Sequence, residues 1–209
     1  MLSTSDICAR MDDGKNGLVQ GIVISPDPSE TDPSQIGRTS IDLRLGRWFT
    51  LLQQTKTTFI DLAVARDENE FSSREGKTYY VPFGQKFVLH PNRFALASTF
   101  EWISLPNDVA SYISGKSSLG RMGLIIETAA GIHPGFSGCI TLELFNCGEV
   151  PIGIYPGMKI CQLFFHEVTG KANPKVTSFG GRRKPAFGSY TPDKKLERMI
   201  KVGGEGKLF

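Results

Sequence analysis

The sequence predicts an all-β domain, a sandwich or jelly roll, with one short helix at its start and an irregular tail. Three observations carry this prediction. Apolar residues alternate over short runs instead of recurring at helical spacing. Glycine or proline punctuates the gaps between those runs. One segment near the start has the chemistry of both a helix start and a helix stop. Many short strands beside one clear helix are the pattern of a sandwich or jelly roll. At 209 residues and 40% hydrophobic content, the chain is long enough to bury a sizeable core in one domain.

Residues 3–14 hold a capping hydroxyl, an acid in the first turn and a glycine stop, which predicts a helix of about two to three turns. The period then changes. Residues 40–45 alternate, as do residues 86–90, and further strands are predicted at 94–100, 109–114, 139–145 and 160–165. Between them, Leu105-Pro106-Asn107-Asp108, His133-Pro134-Gly135 and Tyr155-Pro156-Gly157 are turn chemistry. Residues 119–124 fit either a loop or a helical turn. The polar stretch 66–76 reads as a solvated loop. After Val168 the composition shifts to Gly, Lys, Arg and Pro, so residues 1–170 are taken as the β domain and 171–209 as a tail. Residues 177–191 hold too little apolar surface to fold alone. Two readings of them stand: a frayed terminus, or a basic, glycine-rich lid that orders over a bound polyphosphate.

Composition excludes several classes. A net charge of +3 is too mild for a dedicated nucleic-acid binder, yet compatible with a site that collects polyphosphate. The four cysteines, Cys8, Cys139, Cys147 and Cys161, are scattered without a C-x-x-C pair, as expected of a reduced, cytoplasmic protein. No apolar run approaches the ~20 residues that span a bilayer, and the start lacks a basic-then-apolar leader, so no membrane association is expected.

A zinc deaminase needs a His or Cys beside a Glu and then P-C-x-x-C, because three ligands must hold the metal that activates water. Neither element occurs, and His90, His133 and His166 show no ligand spacing. No protein-bound zinc is expected. Gly115-Lys116-Ser117-Ser118 resembles the end of a P-loop, but that motif needs a glycine five residues before Gly115, where Ala110 stands, which excludes an ordinary ATPase. Lys116, two hydroxyls and Arg121 still form a compact set of oxyanion donors, unless the segment is simply a polar turn. In residues 138–146, alternation puts Thr141 and Glu143 on one face and Leu142 and Leu144 on the other. A carboxylic acid on a half-buried face is disfavoured in its charged form, a condition for moving protons near neutral pH. The alternative is a Glu facing solvent or a salt-bridge partner.

Taken in order, these segments resemble the dCTP deaminases of the dUTPase-like superfamily. Thr39-Ser40-Ile41-Asp42-Leu43-Arg44-Leu45-Gly46 resembles S-x-D-x-R-L-G. Gly115-Lys116-Ser117-Ser118-Leu119-Gly120-Arg121-Met122-Gly123 is similar to G-R-S-S-L-x-R-L-G, and His133-Pro134-Gly135-Phe136-Ser137-Gly138 leads into the glutamate strand. The resemblance implies a β-clip type of dUTPase-like sandwich and a homotrimer with active sites at subunit interfaces. It implies an enzyme that turns dCTP into dUTP and ammonia. Glu143 matches the general acid/base. Ser117 and the backbone carbonyl near Ala129 match groups that hold the attacking water, and Arg121 one that stabilises the site. Lys116 and Ser118 match phosphate ligands. Leu119, Gly120, His133, Thr141, Leu142 and Gln162 match further substrate contacts. Magnesium is implied on the triphosphate, not at the cytosine.

The sequence also departs from that pattern. Lys116 replaces an arginine, exchanging a bidentate fork for a point charge. His133 stands where the family carries an aspartate that contacts the sugar and that, in related dUTPases, positions the water for triphosphate cleavage; this argues against dUTP hydrolysis. One residue is missing between Gly123 and His133. Lys184-Pro185-Ala186-Phe187-Gly188-Ser189 resembles the dUTPase lid, where an aromatic covers the base and a serine touches phosphate, so Lys184, Phe187 and Ser189 join the candidates. Monofunctional dUTPases carry an apolar residue where Glu143 stands, which favours deamination. The alternatives are a dUTP diphosphohydrolase, a bifunctional enzyme, and a nucleotide-sensing homologue without catalysis.

Overall fold

The computed structural model describes residues 1–53, 59–60, 76–127, 131–170, 180–188 and 193–204. Helix α1, Thr4–Lys15, starts on a reciprocal cap in which the Ser3 side chain accepts from the Asp6 amide and the Asp6 carboxylate accepts from the Ser3 amide. Ile7 and Met11 face the core. Gly14 is not the stop that the sequence suggested, because the helix runs one residue beyond it. Its lack of a Cβ serves another purpose: a methyl there would lie 2.4 Å from the Ile22 carbonyl oxygen, where the chain returns past the helix.

The strands are β1 (Val23–Ser25), β2 (Ser40–Leu52), β3 (Gly76–Tyr80), β4 (Phe87–Leu89), β5 (Phe94–Thr99), β6 (Trp102–Ser104), β7 (Val109–Gly115), β8 (Leu124–Glu127), β9 (Ser137–Gly138), β10 (Thr141–Asn146), β11 (Ile152–Ile154) and β12 (Lys159–Glu167). The main sheet has the order β7-β12-β2-β5-β10-β8, with β3 also paired to β2, while β1-β6-β9 and β11-β4 form smaller sheets. Its two ends approach each other. A Cβ on Gly115 at the end of β7 would stand 3.0 Å from the Cβ and carbonyl oxygen of Ile126 on β8, so the sheet curls into a barrel-like form in which glycine eases a tight contact between its ends.

Three shorter helical segments complete the described elements: α2 (Pro28–Thr31), α3 (Ser117–Gly120) and α4 (Lys194–Gly204), beside a 3₁₀ turn at Pro33–Gln35. Residues 119–124 therefore divide between the end of α3 and the start of β8. The core lies inside the curled sheet, where Ile41, Leu43, Leu45, Phe49, Leu142, Leu144, Leu163 and Phe165 are all fully buried. Strand β2 carries a register shift in its pairing with β5, between Leu45 and Phe49. Residues 40–44 pair with β12 and residues 48–52 with β3, while the pairing with β5 runs from Leu45 across the shift to Leu51. The four cysteines are free thiols, and among the described residues no helix is long and apolar enough to cross a membrane.

Candidate active site

The G-K-S-S segment turns out of β7 directly into α3, with Lys116 at the helix N-cap. The Lys116 ammonium meets Asp42 Oδ2 at 2.5 Å, and Gln162 Nε2 donates to Asp42 Oδ1 at 3.2 Å. Asp42 on β2 and Gln162 on β12 are cross-strand partners, and Gln162 is likewise opposite Ser114 on β7. Three separate segments thus meet on one largely buried carboxylate. Ser117, Ser118, Gly120 and Arg121 are exposed around this cluster, whereas Leu119 packs against the core.

Strand β10 presents the alternation expected of it. Leu142 and Leu144 are fully buried, and Thr141 and Glu143 are half-buried on the opposite face. The Leu142 side chain therefore belongs to the core, leaving its backbone as the part that could meet a ligand. Thr141 faces Ser98 across the β5 pairing, and Glu143 lies between Leu96 on one side and Glu127 of β8 on the other. Among the described residues, the side chains of Ser117, Ser118, Arg121, Thr141 and Glu143 make no hydrogen bond or ion pair, and none joins the Glu143 face to the Ser117 turn within one chain.

His133 is exposed beside the bridge between Ser111 and Ile132. Its carbonyl accepts from the Phe136 amide at 3.2 Å, closing the turn before β9. Ala129 and Ser189 lie outside the described residues. Between them in sequence, residues 180–188 cross the sheet face that carries Thr141. The Gly181 amide donates to Ser137 O at 2.7 Å, the Cys139 amide to Arg182 O at 2.8 Å, and Ser98 Oγ to Arg183 O at 3.1 Å. Lys184 lies with its ammonium 4.1 Å from the Trp48 ring centroid, and Phe187 is half-buried.

The dCTP deaminase-like family matches residues 1–168. The chain belongs to this family. Among its relatives are proteins named "dCTP deaminase, dUMP-forming" from Clavibacter michiganensis subsp. michiganensis, 44% identical over 88% of this chain and 88% of that one, and from Thermobifida fusca, 41% identical over 93% and 92%. A third, from a Mycobacterium species, is 40% identical over 97% of this chain and 99% of its own length. The crystal structure of 2'-deoxycytidine 5'-triphosphate deaminase from Agrobacterium tumefaciens shares the fold, with a TM-score of 0.56 at 22% identity over 78% of this chain. This chain spans 45% of that protein's length.

Each position from Ile41 to Leu45 on β2 has a structural role. Ile41, Leu43 and Leu45 fill the core, Asp42 gathers Lys116 and Gln162, and Arg44 meets Glu101, with Nε 2.6 Å from Oε1. Sequence reasoning missed three residues. Asp42 is one, although an acid between two core positions was the available signal. Glu127, opposite Glu143, becomes visible only when β8 and β10 are paired. Glu101, fully buried, lies between Phe100 and Trp102, an unusual setting for an acid on a surface loop.

Proposed function

We propose that this chain deaminates dCTP to dUTP and ammonia, as one subunit of a homotrimer with active sites between subunits. The observation that carries the reading is Glu143, held on a half-buried strand face beside Thr141 with no partner among the described residues. The naming of the relatives as dCTP deaminases supports the substrate.

The chemistry needs one group that both takes and gives protons. Glu143 removes a proton from the attacking water as its oxygen bonds to carbon 4 of cytosine, and passes that proton to ring nitrogen 3. The remaining hydroxyl proton then moves through Glu143 to the exocyclic amine, the C–N bond breaks and ammonia leaves behind a carbonyl. A positioned acid/base contributes about 10²–10⁴ in rate. Ser117 and the Ala129 carbonyl hold the water, and Arg121 stabilises the charge that develops. Lys116 and Ser118 take the phosphates, together with the backbone at Leu119 and Gly120. Thr141, the Leu142 backbone, His133 and Gln162 hold the nucleoside, and Lys184, Phe187 and Ser189 serve a lid formed by the tail. Magnesium carried on the triphosphate would neutralise part of its charge. No metal is needed at the reacting carbon.

A second reading, continued hydrolysis to dUMP and pyrophosphate, is favoured by the "dUMP-forming" names of the relatives. His133, in place of an aspartate, favours stopping at dUTP. Incubating dCTP with magnesium and the enzyme separates the possibilities. Ammonia with dUTP is the expected result, and ammonia with dUMP and pyrophosphate establishes the second reading. Bound dCTP without ammonia overturns both in favour of a nucleotide sensor. Glu143→Gln is expected to slow ammonia release by at least about 10²-fold while dCTP still binds; undiminished turnover would remove Glu143 from its role.

A further inference from the structure

Both tryptophans of the chain touch cations of the same short segment of the tail. The Arg183 guanidinium carbon lies 5.1 Å from the Trp102 ring centroid, and the Lys184 ammonium 4.1 Å from that of Trp48. These rings are themselves fixed. The Trp102 indole donates to Ser137 Oγ at 3.1 Å, and Trp48 packs edge-on against Tyr80 with centroids 5.0 Å apart. Between the two rings the segment is pinned through its backbone by Ser137, Cys139 and Ser98. Arg183 and Lys184 are nonetheless exposed, and among the described residues neither forms a salt bridge with an acid, so their charge is held in place.

The position of this strap follows from register. Ser98 is the direct partner of Thr141, and Leu96, two residues back on β5, is the partner of Glu143. Directly opposed residues of an antiparallel pair point to the same face, so the hydroxyl that binds Arg183 O lies on the Thr141 and Glu143 face. Trp48, one residue before the buried Phe49, whose partner is Ala97, also points to that outer side. A cation over an aromatic face is attracted by the ring quadrupole, most strongly for tryptophan.

From this geometry we infer that Trp48 and Trp102 are positioning residues, which hold residues 181–184 across the Glu143 face so that Arg183 and Lys184 present charge to the nucleotide triphosphate. The inference rests on the deaminase reading for its substrate, but the docking of the strap can be tested without it. Trypsin cleaves after Arg182 and Arg183, while Pro185 protects the bond after Lys184, so release of the strap is measurable as faster cleavage at those two bonds. Trp48→Leu and Trp102→Leu are each expected to speed that cleavage about tenfold, and Trp48→Phe and Trp102→Phe, which keep an aromatic face, to restore most of the protection. With dCTP as substrate the leucine variants are expected to raise KM about tenfold with kcat within about twofold, and with dCMP to change KM far less.

Leucine variants as resistant to trypsin as the original protein would overturn the clamp. So would phenylalanine variants cleaved as fast as the leucine ones, since bulk instead of the ring face would then be at stake. Faster cleavage with an unchanged KM for dCTP rejects the role in triphosphate binding. Failure of the unsubstituted protein to release ammonia from dCTP counts against the deaminase reading, and the cleavage rates still decide the clamp.

Discussion

Glu101 and Asp42 are both acids withdrawn from water, and their partners show that they do different work. Glu101 accepts from the Arg44 backbone amide at 2.8 Å, from Arg44 Nε at 2.6 Å and from Gln35 Nε2 at 3.0 Å, tying β2 to the turn before β6. Removing one member of such a pair leaves the other charge buried and uncompensated, at a cost of about 3–5 kcal/mol. Glu101→Ala is therefore expected to lower the unfolding free energy by about that amount in a urea titration, and a loss below about 1 kcal/mol would mean that Arg44 finds water instead. Asp42, by contrast, holds Lys116 and Gln162, the two groups proposed above to bind phosphate and nucleoside. Neither acid was assigned from sequence, because alternation gives the face of a strand residue but not its partners, and both partnerships join positions far apart in the chain. Glu143 was easier to find: its own strand supplies the contrast between Thr141 and Glu143 on one side and Leu142 and Leu144 on the other.

Elements were readable where the local chemistry was strong. The start of α1 is an example, since Ser3 and Asp6 satisfy each other's backbone amides. The hydrogen bonds from Ser3 hold the Asp6 carboxyl below its ordinary value of 3.8. A carboxyl depressed in the folded state stabilises it above the unfolded value, and that stabilisation is lost as pH falls through the folded one. Ser3→Ala is thus expected to lower the thermal midpoint by a few degrees near pH 7, and thermal melts should show the deficit shrinking once the pH drops below about 3.8; a deficit independent of pH would show that the Asp6 charge plays no part. The six strands predicted by alternation all exist, with ends shifted by a few residues. Strand β2 ran seven residues further because its register shift breaks the period. Strands such as β9 with two residues and β1 with three went unnoticed because they are too short to show any period and are fixed by their neighbours. Helix α4 was missed for another reason. Leu196, Met199 and Ile200 recur at helical spacing and the Asp193 carboxylate accepts from the Lys195 amide at 2.9 Å, but the glycine- and lysine-rich composition of the tail masked that signal.

At the scale of the whole molecule, the proposed trimer can be tested through the candidate residues themselves. Glu143 lies on β10 and Ser117 on α3, and no hydrogen bond or ion pair joins them among the described residues of one chain. In the proposed trimer the Glu143 face of one subunit meets the Ser117 turn of another, so each active site draws on two chains. That arrangement has a consequence that no site contained in a single chain can imitate. Glu143→Gln and Ser117→Ala subunits are each expected to form nearly inactive trimers. When they are unfolded together in equal amounts and refolded, each interface has one chance in four of pairing an intact Glu143 with an intact Ser117. Ammonia release from dCTP should then recover to roughly a quarter of the rate of the unsubstituted protein. Refolding each variant separately before mixing should give no recovery until subunits exchange. Recovery that never rises above the average of the two parent rates, with mixed trimers confirmed by native mass spectrometry, would place Glu143 and Ser117 in the same chain's site and remove the interface from the mechanism.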